Sequence, residues 1–506
     1  MKPILPNELW MVILFCMDRR TLKAARLACR LFYELSMEAM LREITWLSKA
    51  KALREADYWE HNPNHANFPQ DLAVCFADPP PEGTCSVSAG EQTRILNCIR
   101  GFPRLEALDL SIGNFPEDLY HVLADLSALK ELTLRYCALP PSLTSVPVAI
   151  LPNRNITSLK LFGLKSYPYR SANTFTADPV PCAGLFSLLP RLRSLHLELS
   201  FVETPFLPPS HRLTQLTIGV PSSAVYINHF LEILRSIPQL ERLTTYDREK
   251  PGHEADANNA NASAVPTAPP ALNYLTHYTG TTALALEALK AAPSLIDVCI
   301  VADSSRLLVD FVEFLDQRQI PARRLRLEVT YWGSDTVEAL RAIAYRLPGL
   351  ECLAVAYSNG QPSEDSLVQI GVDFFPRLVN LQEFEIAYKI DATVRVPHLD
   401  SDVDSDDDDP FLDELNLTQA DDLSIDEGEY FAANEGLASD ELSHPLNLRQ
   451  APADNSLEPE FTALLFVLPR HNPGLQRICL PVGKTHRVVH KRNPSTGRWI
   501  TFTLTV

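Results

Sequence analysis

The chain alternates between two hydrophobic periods, and the alternation itself repeats. A short motif with apolar residues at i, i+3 and i+5 recurs along most of the 506 residues. Clear copies are Leu105-Leu108-Leu110, Leu129-Leu132-Leu134, Ile156-Leu159-Leu161, Leu192-Leu195-Leu197 and Leu213-Leu216-Ile218. Further copies are Leu295-Val298-Ile300, Leu350-Leu353-Val355, Leu381-Phe384-Ile386 and Leu475-Ile478-Leu480. Degenerate ones begin at Leu240 (Thr245 last), Leu272 (His277 last) and Ala322 (then Leu325 and Leu327). Between the motifs lie patterns of helical period, such as Leu307-Leu308-Phe311-Phe314-Leu315 and Val337-Leu340-Ile343-Leu347. From residue 105 to 381 the mean spacing is about 27.6 residues, room for one strand and one helix per turn of a solenoid.

Proline tests whether the repeat is real. Position i−2 is Pro at 103, 190, 238, 270, 293, 348 and 473, seven of the twelve copies, where 40 prolines in 506 residues predict about one. A proline there ends the preceding helix and sets an extended entry to the strand. The reading is an α/β fold: an irregular leucine-rich-repeat solenoid, a curved parallel sheet with outer helices. Two more strands are expected upstream, at Leu41-Ile44-Trp46 and Leu72-Val74-Phe76. At the far end, His486 to Arg492 and Arg498 to Val506 flank the turn residues 493–497, which predicts a terminal β-hairpin capping the open sheet.

The first 46 residues follow a different pattern. Pro6 opens a helix whose stripe is Leu9, Val12, Ile13, Phe15 and Cys16. Asp18 N-caps a second helix with Leu22, Ala25, Leu27, Ala28, Leu31 and Phe32 as its apolar positions, and a third runs from Ser36 to Arg42. Leu5-Pro6, Glu8-Leu9, Ile13-Leu14, Leu22, Ala28-Cys29-Arg30 and Leu41 together resemble an F-box. The resemblance implies docking on a Skp-type adaptor and, through it, a cullin–RING ligase of the SCF class, with Leu5, Pro6, Leu9, Ile13, Leu14, Leu22 and Cys29 at the adaptor. With the repeats, the whole is similar to F-box and leucine-rich-repeat substrate receptors of fungal type. The expected domains are an F-box over 1–46, a solenoid over 47–391 with a loop at 248–270, an insertion over 392–458, and a last repeat with its cap over 459–506.

Charge sharpens the boundaries. The net charge of −18 is concentrated between Asp400 and Glu441, which holds 17 Asp and Glu and no Lys or Arg. The rest of the chain is near neutral, with no basic footprint for nucleic acid. Self-repulsion in the run DSDVDSDDDD predicts disorder for the insertion, either a solvated loop or a regulatory segment phosphorylated at Ser401 and Ser405. A basic terminal segment (Lys484, Arg487, Lys491, Arg492, Arg498) is a candidate resting place for it. No apolar stretch is long enough to span a membrane and no leader is evident, so a cytoplasmic or nuclear setting is expected. The ten cysteines lack zinc-ligand spacing, and the thirteen histidines form no metal pattern.

Catalytic signatures were sought and are wanting. Gly483-Lys484-Thr485 matches the end of a phosphate-binding loop, but Ile478 stands where its first Gly belongs. No GxSxG, HExxH or GxGxxG occurs. The expectation is a non-enzyme without cofactor, catalytic residue or metal, which positions a protein target; the alternative is a protein-binding scaffold outside any ligase. In each strand i+2, i+4 and i+6 should face the concave surface. Arg and aromatic residues there are the best anchors, which selects Arg242, Tyr246, Tyr274, Tyr278, Arg324 and Arg326 as the target-binding set.

Overall fold

Apolar residues at i+3 and i+5 of a strand lie on one side of it, and stacking neighbouring repeats removes that side from water. The computed structural model realises this as one 16-stranded sheet among the described residues, in which strands adjacent in the chain are adjacent in the sheet. It describes residues 5–76, 89–113, 115–137, 139, 152–163, 185–186, 188–198, 212–220, 224–247, 270–302, 305–360, 362–389, 472–482 and 486–505. Most of the loop expected at 248–270, the smaller insertion expected at 165–181 and the whole insertion at 392–458 lie outside those residues.

The strands are β1 (Glu43–Trp46), β2 (Asp71–Cys75), β3 (Ala107–Ser111), β4 (Glu131–Arg135), β5 (Ser158–Phe162), β6 (Ser194–Glu198), β7 (Gln215–Val220) and β8 (Arg242–Asp247). They continue with β9 (His277–Thr281), β10 (Asp297–Ala302), β11 (Arg324–Tyr331), β12 (Cys352–Asn359), β13 (Glu383–Tyr388), β14 (Arg477–Val482), β15 (His486–Arg492) and β16 (Trp499–Thr505). Neighbours pair in parallel from β1 to β14, with the motif residues in register: Leu108 opposite Leu132, Leu327 opposite Val355, Phe384 opposite Ile478. Each buried Leu in this ladder contributes about 1.5–3 kcal/mol.

One register differs from the sequence reading. Leu243, Tyr278 and Val298 are partners across β8, β9 and β10, so the copy there is Leu275-Tyr278-Gly280, not Leu272-Leu275-His277. The Tyr278 ring fills the i+3 place, and its hydroxyl is satisfied by Thr245 Oγ1 at 2.9 Å and the Thr281 carbonyl at 3.1 Å. Gly280 makes this possible, because a Cβ there would fall 1.8 Å from Thr245 Oγ1.

Eleven helices are named here in chain order: α1 (Asn7–Phe15), α2 (Arg19–Ala25), α3 (Arg30–Leu41), α4 (Lys49–His61), α5 (Ala89–Arg100) and α6 (Asp118–Asp125), then α7 (Ala224–Arg235), α8 (Thr282–Ala288), α9 (Ser305–Gln317), α10 (Ser334–Arg346) and α11 (Glu364–Gln369). From α4 onward they pack behind the sheet, joined on their outer faces by ion pairs such as Arg346 with Glu313 and Asp316. The first three form the head. Asp18 caps α2 as expected, accepting from the Thr21 N–H at 2.9 Å. The second helix is shorter than the pattern predicted. Tight turns at Leu27 and Ala28 close it and Cys29 is extended (φ −168°), so α3 starts afresh at Arg30.

The chain re-enters the solenoid at two places through a buried asparagine. Position i−3 is apolar and buried in most copies, for example Phe102, Leu126, Leu347 and Leu378. At Asn153 and Asn472 it is polar and still buried. Asn153 Nδ2 donates to the carbonyls of Leu123 (2.7 Å) and Leu126 (2.9 Å) in the preceding repeat, and Asn472 Nδ2 to that of Leu378. The side chain thereby fastens the returning strand to the turn before it.

The end of the solenoid matches the predicted cap. β15 runs antiparallel to β14, and β16 antiparallel to β15. Asn493 builds the turn, its Oδ1 accepting from Ser495 N, with Gly497 left-handed (φ +67°).

Candidate functional site

Two surfaces carry chemistry. The first is the head. Leu9, Val12 and Ile13 fall at helical spacing on one side of α1, Leu5 precedes the helix, and the four are 37–59% exposed. Phe15, Leu27 and Leu31 are exposed as well. Pro6 is exposed at the start of α1, and Cys29 is exposed as the N-cap residue of α3. Leu14 and Leu22, also expected at the adaptor, are instead buried in the core with Met37, Met40 and Leu41. Trp10 against Phe32 (4.8 Å between centroids) and the Arg42 guanidinium over Phe15 (4.8 Å) complete the packing.

The second surface is the sheet's outward face, where alternate strand positions segregate by charge. At i+2 and i+4, strands β1 to β4 carry Glu43, Asp71, Asp109 and Glu131 and no Lys or Arg. Burial, reinforced by the neighbouring Glu43 charge, pushes the Asp71 carboxyl above its ordinary value. The same positions in β5 to β9 carry Lys160, His196, Arg242 and His277 and no Asp or Glu. In β10 to β14 the signs balance, with Asp297, Glu383 and Glu385 against Arg324, Arg326 and Arg477.

Ion pairs run within the outer zones and across the β4–β5 seam. Arg135 Nε lies 2.9 Å from Asp109, and Lys160 Nζ 3.6 Å from Glu131. Further along, Arg326 pairs with Glu328 (3.4 Å), Arg477 with Glu383 (3.4 Å) and Arg487 with Glu385 (2.9 Å). Two residues of the basic terminal segment are thus engaged within the solenoid, since Arg492 Nη1 also donates to the Pro473 carbonyl.

The i+6 positions of the central zone are Phe162, Glu198, Gly219, Tyr246 and Thr281. Arg135 stacks 4.9 Å from the Phe162 centroid, and Phe162 lies 4.6 Å from the His196 ring. His196 Nε2 in turn sits 3.3 Å from the Tyr246 hydroxyl. Gly219 lets Tyr246 reach across β7, as a Cβ there would lie 2.7 Å from the tyrosine ring. Two further side chains stand at the strand ends. Ile112 and Tyr136, each with φ of 53°, follow β3 and β4 and are 45% and 50% exposed. A left-handed backbone costs such residues about 1–2 kcal/mol.

Of the six residues expected to bind a target, Arg242, Tyr246, Arg324 and Arg326 lie on this face. Tyr274 is exposed but belongs to the turn before β9, and Tyr278 is buried in the core, so neither is on the sheet surface. Sequence reasoning missed the ridge from Phe162 through His196, although alternation from Ile156 and Leu192 points to both. Burial pushes the thiols of Cys299 and Cys479 up to about 11 and those of Cys98 and Cys137 up to about 12. These thiols are therefore protonated and poorly nucleophilic at neutral pH. Among the described residues no cluster of His, Cys, Asp or Glu could hold a metal ion, and no helix is long and apolar enough to cross a membrane.

No protein-family model matches the chain, and no curated protein matches it. Among solved structures, the chain is similar to a Bacteroides fragilis protein at 14% identity and a TM-score of 0.26, over 70% of this chain and 76% of that one. It is also similar to the Rad7 and Elc1 complex of yeast at 13% identity and a TM-score of 0.30, over 75% of this chain and 96% of that one.

Proposed function

We propose that the head is an F-box docking a Skp-type adaptor and that the solenoid holds a protein target, making the chain the substrate-recognition subunit of an SCF-type ubiquitin ligase acting in the cytoplasm or nucleus. The observation that carries the reading is the stripe Leu9, Val12 and Ile13, left in water with the preceding Leu5 on a helix whose opposite residue, Leu14, is buried. A helix that already has a core side gains nothing from a second apolar side unless another protein covers it. The solenoid side of the reading rests on the sheet's outward face, whose charged and aromatic residues converge on one broad surface. The chemistry assigned to the chain is positioning, which brings a target within reach of a transfer reaction performed by other subunits.

Co-purification tests this. The full chain should capture adaptor and cullin, and Leu9→Asp/Ile13→Asp should capture neither while melting like wild type. Failure of wild type to bind the adaptor, or undiminished binding by the double variant, overturns the F-box assignment. Adaptor without cullin would place the chain in a scaffold outside any ligase.

A further inference from the structure

We propose that the sheet face from β5 to β9 receives an extended segment of the target that is acidic and carries an aromatic or large aliphatic residue. The inference rests on the reading of the solenoid as target-binding and states the chemistry of what it binds.

Three observations converge. The first is charge. The i+2 and i+4 positions of β5 to β9 hold Lys160, His196, Arg242 and His277 and no carboxylate of their own. Lys160 and His277 face Glu131 and Asp297 at the two seams, which leaves Arg242 as the cation at the heart of the zone, whereas the zones on either side are acidic or internally neutralised. Arg242 forms no ion pair among the described residues, and it projects from β8 beside Thr244 and Tyr246. An acidic segment would be repelled by Glu43 and Asp71 at one end, and at the other would compete with the pairs of Arg326 and Arg477. Only the central zone favours it.

The second is the ridge of Phe162, His196 and Tyr246, which crosses four strands with contacting rings. Such a ridge offers flat apolar area flanked by polar tips, the character of a recognition anchor. The third is strain. Ile112 and Tyr136 hold unfavourable backbone conformations, in which their N–H groups donate to the Arg135 and Phe162 carbonyls, while about half of each large side chain stays in water. They border the ridge from the β3–β4 side, and Gly163 takes the same backbone conformation (φ +54°) after β5, directly under the Tyr136 ring.

The dimensions suit a single strand of peptide. Adjacent strands are about 4.8 Å apart, so β5 to β9 spans about 19 Å, the length of about six extended residues at about 3.3 Å each.

The test is panning of a random phage-displayed dodecapeptide library against the full-length chain. The recovered peptides are expected to be enriched in Asp and Glu together with Phe, Tyr, Trp or Leu, and their retention should fall as salt is raised. Arg242→Glu and, separately, Thr217→Glu, at the centre of the ridge on a half-buried outward strand position, should each lower recovery by about tenfold or more, equivalent to about 1.4 kcal/mol. Recovery without acidic enrichment, or equal recovery by both variants, overturns the proposal. Deleting residues 400–441 should leave recovery unchanged; a rise would mean that the chain's own acidic segment occupies the face, and would overturn the assignment to a target. The F-box reading fails separately, since Leu9→Asp/Ile13→Asp alters adaptor capture and leaves peptide recovery as in wild type.

Discussion

The head and the solenoid use the same kind of residue to opposite ends. In the solenoid, Leu353 lies between Leu325 and Phe384 in register, 1% exposed, because a repeat stands on either side of it. In the head, Val12 belongs to an equally apolar helix but is 59% exposed, because α1 packs on α3 from one side only. Burial is decided by neighbours and not by the local apolar content. Where an array supplies a neighbour in both directions, leucine becomes core; where the array stops, it becomes a surface awaiting one.

The contrast can be broken by matched substitutions. Leu353→Asp should be the most damaging, since it adds an unpaired buried charge to a loss that exceeds the about 2–5 kcal/mol of a Leu→Ala cavity. Val12→Asp should change stability by no more than about 0.5 kcal/mol. Thermal melts of the two full-length variants decide the matter, and an equal loss in both would erase the distinction. Next in size is Asn153→Ala, which sharpens the comparison from inside the solenoid. Removing the amide takes the Asn153 donor from the Leu123 and Leu126 carbonyls, the latter keeping the Leu129 N–H, and should cost about 1–3 kcal/mol in chemical denaturation.

The smallest effect is on pH. His490 is buried between β14 and β16 with only the Thr501 hydroxyl for company, and burial pulls its pKa below the ordinary value. Its folded form takes up a proton less readily than its unfolded form, so the hairpin gives up stability as pH falls below about 6.5. Hydrogen exchange should show β15 and β16 losing protection on acidification while β10 to β12 retain theirs.

Much of this was legible in the chain because stacking fixes which residues can occupy i+3 and i+5. Even β1 and β2 could be placed from Ile44-Trp46 and Leu72-Val74. The terminal hairpin was legible from its turn residues. The β9 register was not, since Leu272, Leu275 and His277 satisfied the spacing, and only a distant Thr245 makes a buried Tyr278 acceptable. The orientation of Leu14 and Leu22 was equally hidden. In NELWMVILF both sides of the helix are apolar, and the period alone does not say which side packs. Asn153 and Asn472 stand at i−3, but so do Ser210 and Gln319, so the column alone did not single out the two asparagines. The charge zones of the concave face needed only alternation, once the registers were known.

The strict succession of β1 to β16 has a consequence for how the molecule is made. Each coil needs only the coil before it, so the body can be wound during translation, from the ribosome outward, without waiting for distant partners. The reversal of direction at β15 then ends the winding: the final edge runs counter to the parallel series and offers no seat for another coil.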